Sequence, residues 1–464
     1  MSENSKAIAN GDSQSLRGFL RGLSPEQILC LSVKREDYLL SALSARLEEE
    51  KRFPVVVLTD PESGKRTVAN VFANREILRA AIHHITDAEQ AAEQFRTLNV
   101  VQQAPVQECV TLDTDVNVLN LPVFRHFEGD AGRYITSGIV FARDPDNGRY
   151  NMSFHRMQLK GRNKIGISLH SRGDLYRYYQ RAQQLGCDLE IAVVIGTHPA
   201  YYIAGASKIP LSQDDYSWAG AYLGETPIVT QAKTVDLLIP AFAEYVLEGR
   251  ILKDTFEDEG PFGEYTGYST SRSTRNVFEV SAVTHRKDAI YQDLVPGYAW
   301  EHLLLSQFTK EVILLEKLQR EIPEVTALNM PKNGCHFHAY VSMKPKARGQ
   351  AKQVMLLLFG LDLYLKFIVV VNDDVDVYNE EEVLWAMATH VQADTDVFIV
   401  PEVLCNRLDP SSHDGMSAKM GVDATGKENQ ETSRVTLPEE IQNKAKRILS
   451  DYVEGDYNDE GWSV

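Results

Sequence analysis

Glu259 and Glu264 lie five positions apart on the segment Glu259-Gly260-Pro261-Phe262-Gly263-Glu264. Glycine permits positive φ and proline fixes its own, so this segment turns and does not form helix. Both acids therefore sit on one tight loop. Two carboxyls with different surroundings acquire different pKa values, which is how an acid/base pair is built. Glu257 and Asp258 beside them make a solvated acidic loop the competing reading. A cation to complement the acids is available in Asn151-Met152-Ser153-Phe154-His155-Arg156-Met157-Gln158. On a strand Asn151, Ser153 and His155 share one face, and Arg156 points to the other unless a bulge intervenes. A buried guanidinium requires a carboxylate or an anionic ligand. Glu259 or Glu264 supplies that charge, in a structural ion pair or in a site.

Placing such groups requires a framework. The chain has 464 residues and is 43% hydrophobic, enough for two or three domains with buried cores. The first part alternates helix (Leu40 to Lys51, Asp87 to Leu98) with a short buried strand (Pro54 to Leu58), an α/β pattern. The middle is β-rich. Tyr134 to Arg143 and Arg149 to Leu159 flank the turn Asp144-Pro145-Asp146-Asn147-Gly148 as a hairpin, and Ile191 to Ile195 and Val277 to Val283 are further strands. Antiparallel strands in this number predict a barrel-like core. In the last third, Gln350 to Leu365 is helical, Phe367 to Val371 a strand, Glu381 to Val391 a helix and Val397 to Val400 a strand. The crossover rule reads these last three as a parallel βαβ unit. Asp373-Asp374-Val375-Asp376 ends the first of those strands, and Pro438 to Val453 is a terminal amphipathic helix with Ile441, Ala445, Ile448 and Tyr452 on one face.

The net charge of −17 argues against nucleic acid and anionic membranes as partners. The opening residues are polar, without an apolar signal core, and the five cysteines are scattered with no CxxC, so a reducing, cytoplasmic setting is expected. Cys335-His336-Phe337-His338 reads as a strand start. No GxGxxG, GxxxxGK[ST], HExxH or GxSxG occurs in its required context, so dinucleotide redox chemistry, nucleotide hydrolysis, zinc proteolysis and serine hydrolysis lack support.

Six segments in order carry a resemblance: Asp130-Ala131-Gly132-Arg133-Tyr134-Ile135-Thr136, the Asn151 to Arg156 strand, Glu244-Tyr245-Val246-Leu247-Glu248-Gly249, the Glu259 to Glu264 loop, Asn372-Asp373-Asp374-Val375-Asp376, and Ser417 to Thr425. Over nearly its whole length the chain resembles the UbiD family of reversible decarboxylases, which use prenylated flavin mononucleotide. The resemblance implies a mixed α/β (α+β) fold. An N-terminal α/β domain spans residues 1–118, a central split β-barrel flavin-binding domain 119–310, and a C-terminal α/β domain with a dimerisation helix 311–464. It implies a non-oxidative decarboxylase of an α,β-unsaturated, aromatic or heteroaromatic acid. The cofactor's azomethine ylide adds to the substrate double bond, CO2 leaves, and the remaining carbon is protonated. By motif, Arg156 and Glu259 orient the carboxylate and Glu264 delivers the proton. The carboxylase direction, a subunit of an aryl carboxylase and a non-catalytic flavin-binding assembly subunit remain alternatives.

The same resemblance implies Mn2+ or Mg2+, with potassium as an additional cation, between flavin phosphate and protein. Asn151 matches the family Asn. Asp174 falls where the family has His, with His170 four residues earlier, and Asp215 falls where it has Glu. Both acids remain hard oxygen donors, although Asp174 equally suits a helix N-cap. Ser153, Phe154, His155, Gln158, the segment Ala206-Ser207-Lys208 and Lys366 are implied around the flavin, and Tyr298, Trp300 and His302 around the substrate. A flavin prenyltransferase as cofactor supplier and a homodimer or higher homo-oligomer complete the expectations.

Overall fold

The computed structural model describes residues 11–426, Val435 and residues 437–453. After a short helix (Leu16–Arg21) come β1 (Ile28–Ser32), α1 (Leu39–Glu49), β2 (Val55–Thr59) and β3 (Arg66–Ala69). α1 buries Leu40, Ser44 and Leu47, a spacing that keeps one helical face on the sheet. The helix expected from Asp87 is shorter, Ala88–Ala91, and tightens into a 3-10 turn through Phe95.

The central sheet comprises β4 (Tyr134–Ile135), β5 (Ile139–Arg143), β6 (Tyr150–Phe154), β7 (Met157–Leu159), β8 (Lys164–Ile167), β9 (Leu189–Ile195), β10 (Tyr245–Phe256) and β11 (Asn276–His285). Between them lie α2 (Asp174–Gln184), α3 (Pro199–Ala206) and α4 (Asp215–Leu223). The order is β4-β7-β8-β11-β10-β9-β5-β6, antiparallel throughout, and Cys109–Leu112 also pairs with β11. β6 ends this path and β7 stands second from its other end, yet only His155 and Arg156 separate them. Three residue steps span at most about 11 Å. Six strand spacings in a flat sheet would need about 29 Å. The sheet must therefore curl until its ends approach. No ladder joins β6 to β4 or β7 among the described residues, so the barrel is split, and Arg156 lies at the split. The long strands expected over Tyr134–Arg143 and Arg149–Leu159 are each broken, at residues 136–138 and 155–156. The second break lets Arg156 escape simple alternation.

Both barrel faces are covered. Ala192 and Val194 of β9 pack with α3 and α4, whereas Ile191, Val193 and Ile195 pack with Leu175 and Tyr179 of α2. β12 (Ile290–Gln292) then leaves the barrel and pairs parallel with β3, completing the N-terminal sheet. α5 (Trp300–Glu321) buries Leu304, Leu305 and Phe308 in the first core and Leu314 and Leu318 in the C-terminal core.

The C-terminal sheet contains β13 (Val325–Asn329), β14 (His338–Met343), β15 (Phe367–Asn372), β16 (Val397–Leu404) and β17 (Met416–Ala424), with α6 (Gln350–Leu361) and α7 (Glu380–His390) between strands. Its order, β13-β14-β15-β17-β16, corrects the expected βαβ unit. β17 inserts parallel to β15, and β16 is an antiparallel edge strand, where Pro401 is tolerated. The parallel crossover lies one unit earlier, at β14–α6–β15. α6 stops at Leu361, short of the expected Leu365, and buried Lys419 donates to the Phe359 and Asp362 carbonyls at its end, both at 3.2 Å. α8 (Glu439–Val453) forms as expected with Ile441, Ala445 and Ile448 exposed; the Tyr452 side chain lies outside the described residues.

Candidate active site

At the split, three side chains converge. Nε and Nη2 of Arg156 donate to the same Glu259 Oε2 at 3.3 and 2.9 Å, and Nη1 donates to Glu264 Oε1 at 2.7 Å. Nη2 also donates to the Arg272 carbonyl at 2.7 Å. The Arg156 and Glu259 side chains are 8% and 0% exposed, so this pair is desolvated. Burial pulls the guanidinium pKa down, but the two carboxylates outweigh it and hold the group above its ordinary value. Burial pushes the Glu264 carboxyl up. Arg156 draws it back, and Glu259 and Asp130 add to the rise, leaving it above the ordinary value. Glu259 also interacts with the neighbouring Tyr134 hydroxyl; burial, and then this carboxylate, push the phenol pKa up.

Two glycines make the acid loop possible. Gly260 has φ +95°, and a Cβ there would lie 3.3 Å from Arg156 Nη2. At Gly263 a Cβ would lie 2.6 Å from Phe127 Cδ2. The Gly260–Pro261 peptide is cis. The Phe262 ring lies 5.4 Å beneath the Arg156 guanidinium and 4.7 Å from the Tyr134 ring.

β6 leads into Arg156, and its other residues meet the start of α4. Asp214 caps that helix, accepting from Tyr216 N–H at 3.0 Å, and its second oxygen accepts from Tyr150 N–H at 2.8 Å. Asp215 Oδ2 accepts from Met152 N–H at 2.6 Å and from Asn151 Nδ2 at 3.3 Å. Burial drives the Asp215 carboxyl well above its ordinary value, with Asp214 and Asp174 adding to the rise. A bound cation would reverse that balance. Burial also pulls His155 down to about 4, so its ring is neutral near pH 7. Its Nδ1 faces the Ser168 carbonyl at 3.1 Å and must carry the proton, and Nε2 faces Ser153 Oγ at 3.1 Å as the acceptor. A hydroxyl has one proton. Given to His155, it leaves the Asn151 oxygen, 3.1 Å from Ser153 Oγ, open to a cation. Asp174 is not the cap. Gly173 holds that position, and the Asp174 carboxylate in the first turn pairs with Arg177 at 3.2 Å. His170 is exposed. Among the described residues no group of three His, Cys, Asp or Glu is arranged to hold a metal, so Asn151 and Asp215 would supply at most part of a coordination shell.

Comparison with known proteins decides the family. The model for the 3-octaprenyl-4-hydroxybenzoate carboxy-lyase Rift-related domain (UbiD) matches residues 99–299, and that for the C-terminal domain of the same carboxy-lyase matches 303–424. The chain belongs to the UbiD family. It is 34% identical over 423 residues to the anhydromevalonate phosphate decarboxylase of Methanothermobacter thermautotrophicus, covering 88% of this chain and 96% of that one. The UbiD-class enzyme HmfF of Pelotomaculum thermopropionicum in complex with FMN superimposes with a TM-score of 0.88 at 35% identity, covering 94% of this chain and 100% of that one. Vanillic acid decarboxylase of Sedimentibacter hydroxybenzoicus, in closed form, gives 0.79 at 27% identity, covering 95% and 99%. The protein is a UbiD-class decarboxylase, a carboxy-lyase with the mixed α/β fold of that family.

Other residues expected at the UbiD site are placed unevenly. Phe154 packs its ring 5.8 Å from Tyr202. Gln158 lies under the acid loop, its Oε1 accepting from Gly260 N–H at 3.4 Å. Ser207 Oγ donates to the Ile203 carbonyl at 2.7 Å, beside half-buried Ala206 and exposed Lys208. Lys366 is committed to Asp409 at 2.7 Å and Ser411 at 2.5 Å. Among the substrate candidates, Tyr298 hydrogen-bonds Asn333 and carries Lys332 4.5 Å above its ring. Trp300 stacks with Arg75 at 5.6 Å and packs on the first core, a structural position. His302 Nδ1 lies 3.1 Å from the Gly297 carbonyl, and its ring 6.5 Å from that of Tyr265. Sequence reasoning missed Phe127, Asp130, Tyr134 and Tyr265 around the loop. Asp130 and Tyr134 stood within the segment Asp130 to Thr136, which offered a signal but no role.

Proposed function

We propose that the protein decarboxylates an α,β-unsaturated, aromatic or heteroaromatic acid with prenylated FMN, using Arg156, Glu259 and Glu264. The observation carrying this reading is one buried guanidinium shared by two carboxylates of unlike character. Glu259 is sealed and doubly bonded to Arg156; Glu264 is singly bonded to it, and burial lifts its carboxyl above the ordinary value. Arg156 presents a cation to the substrate carboxylate, with Glu259 fixing its plane. Glu264 delivers the proton that replaces CO2 at the substrate carbon, the task of a positioned acid with a raised pKa. When bound, prenylated FMN supplies the carbon nucleophile and electron sink for C–C cleavage. HmfF of P. thermopropionicum binds FMN and, in an evolved dimeric form, prenylated FMN, which supports the same cofactor here. Asn151 and Asp215 would hold its phosphate through Mn2+ or Mg2+, both of which favour hard oxygen donors, with Ser153 beside the flavin. Asp174 is the third ligand, with His170 the alternative. A cytoplasmic homodimer, loaded by a flavin prenyltransferase, completes the proposal.

The direct test is CO2 release from a panel of unsaturated and aromatic acids, by protein made with and without a flavin prenyltransferase. Release only from the co-produced protein is expected. Equal release without the prenyltransferase overturns the cofactor assignment, and no release from any acid overturns the reaction.

Asp215→Ala is expected to purify with little metal and little flavin, because removing an anionic oxygen weakens a hard-cation site. Elemental analysis and the flavin absorbance measure both. Wild-type metal content in this variant would remove Asp215 from the ligand set. Asp174→Asn and His170→Ala alongside it identify the third ligand.

A further inference from the structure

The acid loop is held from two sides. Its Glu264 end turns back as a hairpin, Phe262–Gly263 pairing with Ser269–Thr270 and Glu264 N–H donating to the Tyr268 carbonyl at 2.9 Å. Its Pro261–Gly263 stretch is tied to residues 127–134. The Pro261 carbonyl accepts from Ala131 N–H at 2.8 Å and from the Tyr134 hydroxyl at 3.3 Å. Gly263 N–H donates to Asp130 Oδ1 at 2.9 Å, and the other oxygen, Oδ2, accepts from Phe127 N–H at 2.9 Å. Asp130 is 1% exposed, and the nearby Arg125 donates Nη2 to its backbone carbonyl at 2.6 Å, not to its carboxylate. A buried carboxylate is costly, and charge-assisted N–H bonds offset it here. Such a group survives where it holds two strands of chain together. One strand carries Gly263, the residue before Glu264. The other carries Phe127, whose ring also closes on Gly297, where a Cβ would lie 2.8 Å from it.

We infer that Asp130 is a positioning residue for the proton-delivering acid, clamping the Gly263 and Phe127 amides so that Glu264 meets Arg156. This rests on the proposed role of Glu264. The clamp acts in two ways. It fixes the peptide unit next to Glu264, where an error of about 1 Å costs on the order of 100-fold in rate. It also places a negative charge near Glu264, which faces Arg156, Glu259, Asp130, Tyr265 and Tyr364. That charge favours the protonated acid.

Asp130→Asn and Asp130→Glu separate the two effects. The amide variant keeps the shape but leaves one N–H facing an NH2 group. Amide hydrogen exchange in cofactor-free protein is expected to quicken about tenfold or more at Phe127 and Gly263, the consequence of one lost charged hydrogen bond. Exchange in β15 should stay at the wild-type rate. In the loaded enzyme kcat should fall about 10- to 100-fold with KM nearly unchanged. The limb of the pH profile belonging to Glu264 should move to lower pH in Asp130→Asn and stay in place in Asp130→Glu, which keeps the charge. Unchanged exchange at both amides overturns the clamp. Faster exchange with unchanged kcat and pH profile overturns the positioning role, as does failure of both variants to fold, which would make the carboxylate purely structural. Absence of turnover in the wild-type enzyme indicts the proposed reaction instead, and the exchange comparison then still decides the clamp.

Discussion

Glu264→Gln is expected to keep the fold and the flavin and to lose about 100- to 10,000-fold in turnover, the usual worth of a positioned general acid. The swap is nearly isosteric, and an amide can still accept from Arg156 Nη1, the bond seen at 2.7 Å. It cannot give up a proton as an acid. The loss should fall on kcat rather than on substrate binding, and solvent deuterium should enter the product carbon more slowly. Burial raises the Glu264 pKa in the folded protein. A raised carboxyl keeps its proton to higher pH, so activity that needs the proton is present below that value and lost as pH rises through it. The wild-type profile should show this falling limb, and the residual activity of Glu264→Gln should lack it. Near-normal turnover and exchange in this variant would pass the role to Glu259 or to a bound water.

Arg156→Ala should be inactive and also markedly less stable before any cofactor is added. The Glu259 side chain is fully buried, and both hydrogen bonds to its Oε2 come from Arg156. Removing one partner of a buried pair costs about 3–5 kcal/mol because the remaining charge is stranded. Urea unfolding of the cofactor-free protein measures this. The double variant Arg156→Met with Glu259→Gln should recover much of the stability and none of the activity, since it removes the stranded charge without restoring a cation. Wild-type stability in Arg156→Ala would mean that Glu259 finds another partner and that the pair is not coupled as described.

The parts of this site legible in the sequence were those that depend on local chemistry. Proline and glycine between Glu259 and Glu264 forced a loop, and the loop is there. Alternating apolar residues gave the β5–β6 hairpin its register. Contacts set by distant chain were not legible. Arg156 reaches both acids because the strand breaks at His155–Arg156, and nothing local announces that break. β17 slips between β15 and β16, so the apparent βαβ unit dissolved; the order of strands in a sheet is a long-range property. The sequence offered no sign that Asp409, 43 residues on, would pair with the Lys366 ammonium group. Asp174 reads as a cap until Gly173 proves to hold the position one residue before it. Asp130 is an acid without a role in the segment Asp130 to Thr136 until Gly263 arrives from the connection between β10 and β11.

β12 gives this architecture a consequence for biosynthesis. The N-terminal sheet is complete only when Ile290–Gln292 lies against β3. A ribosome that has made the first hundred residues has therefore made a sheet whose last strand begins 190 residues further on. Until then β3 presents a row of unpaired N–H and C=O groups, the kind of edge that recruits foreign strands. Chain usually folds in order of emergence, but here the N-terminal sheet must wait for a strand that follows the barrel. The nascent chain thus spends much of its elongation with an open seam, and a fragment truncated before residue 290 keeps that seam for good.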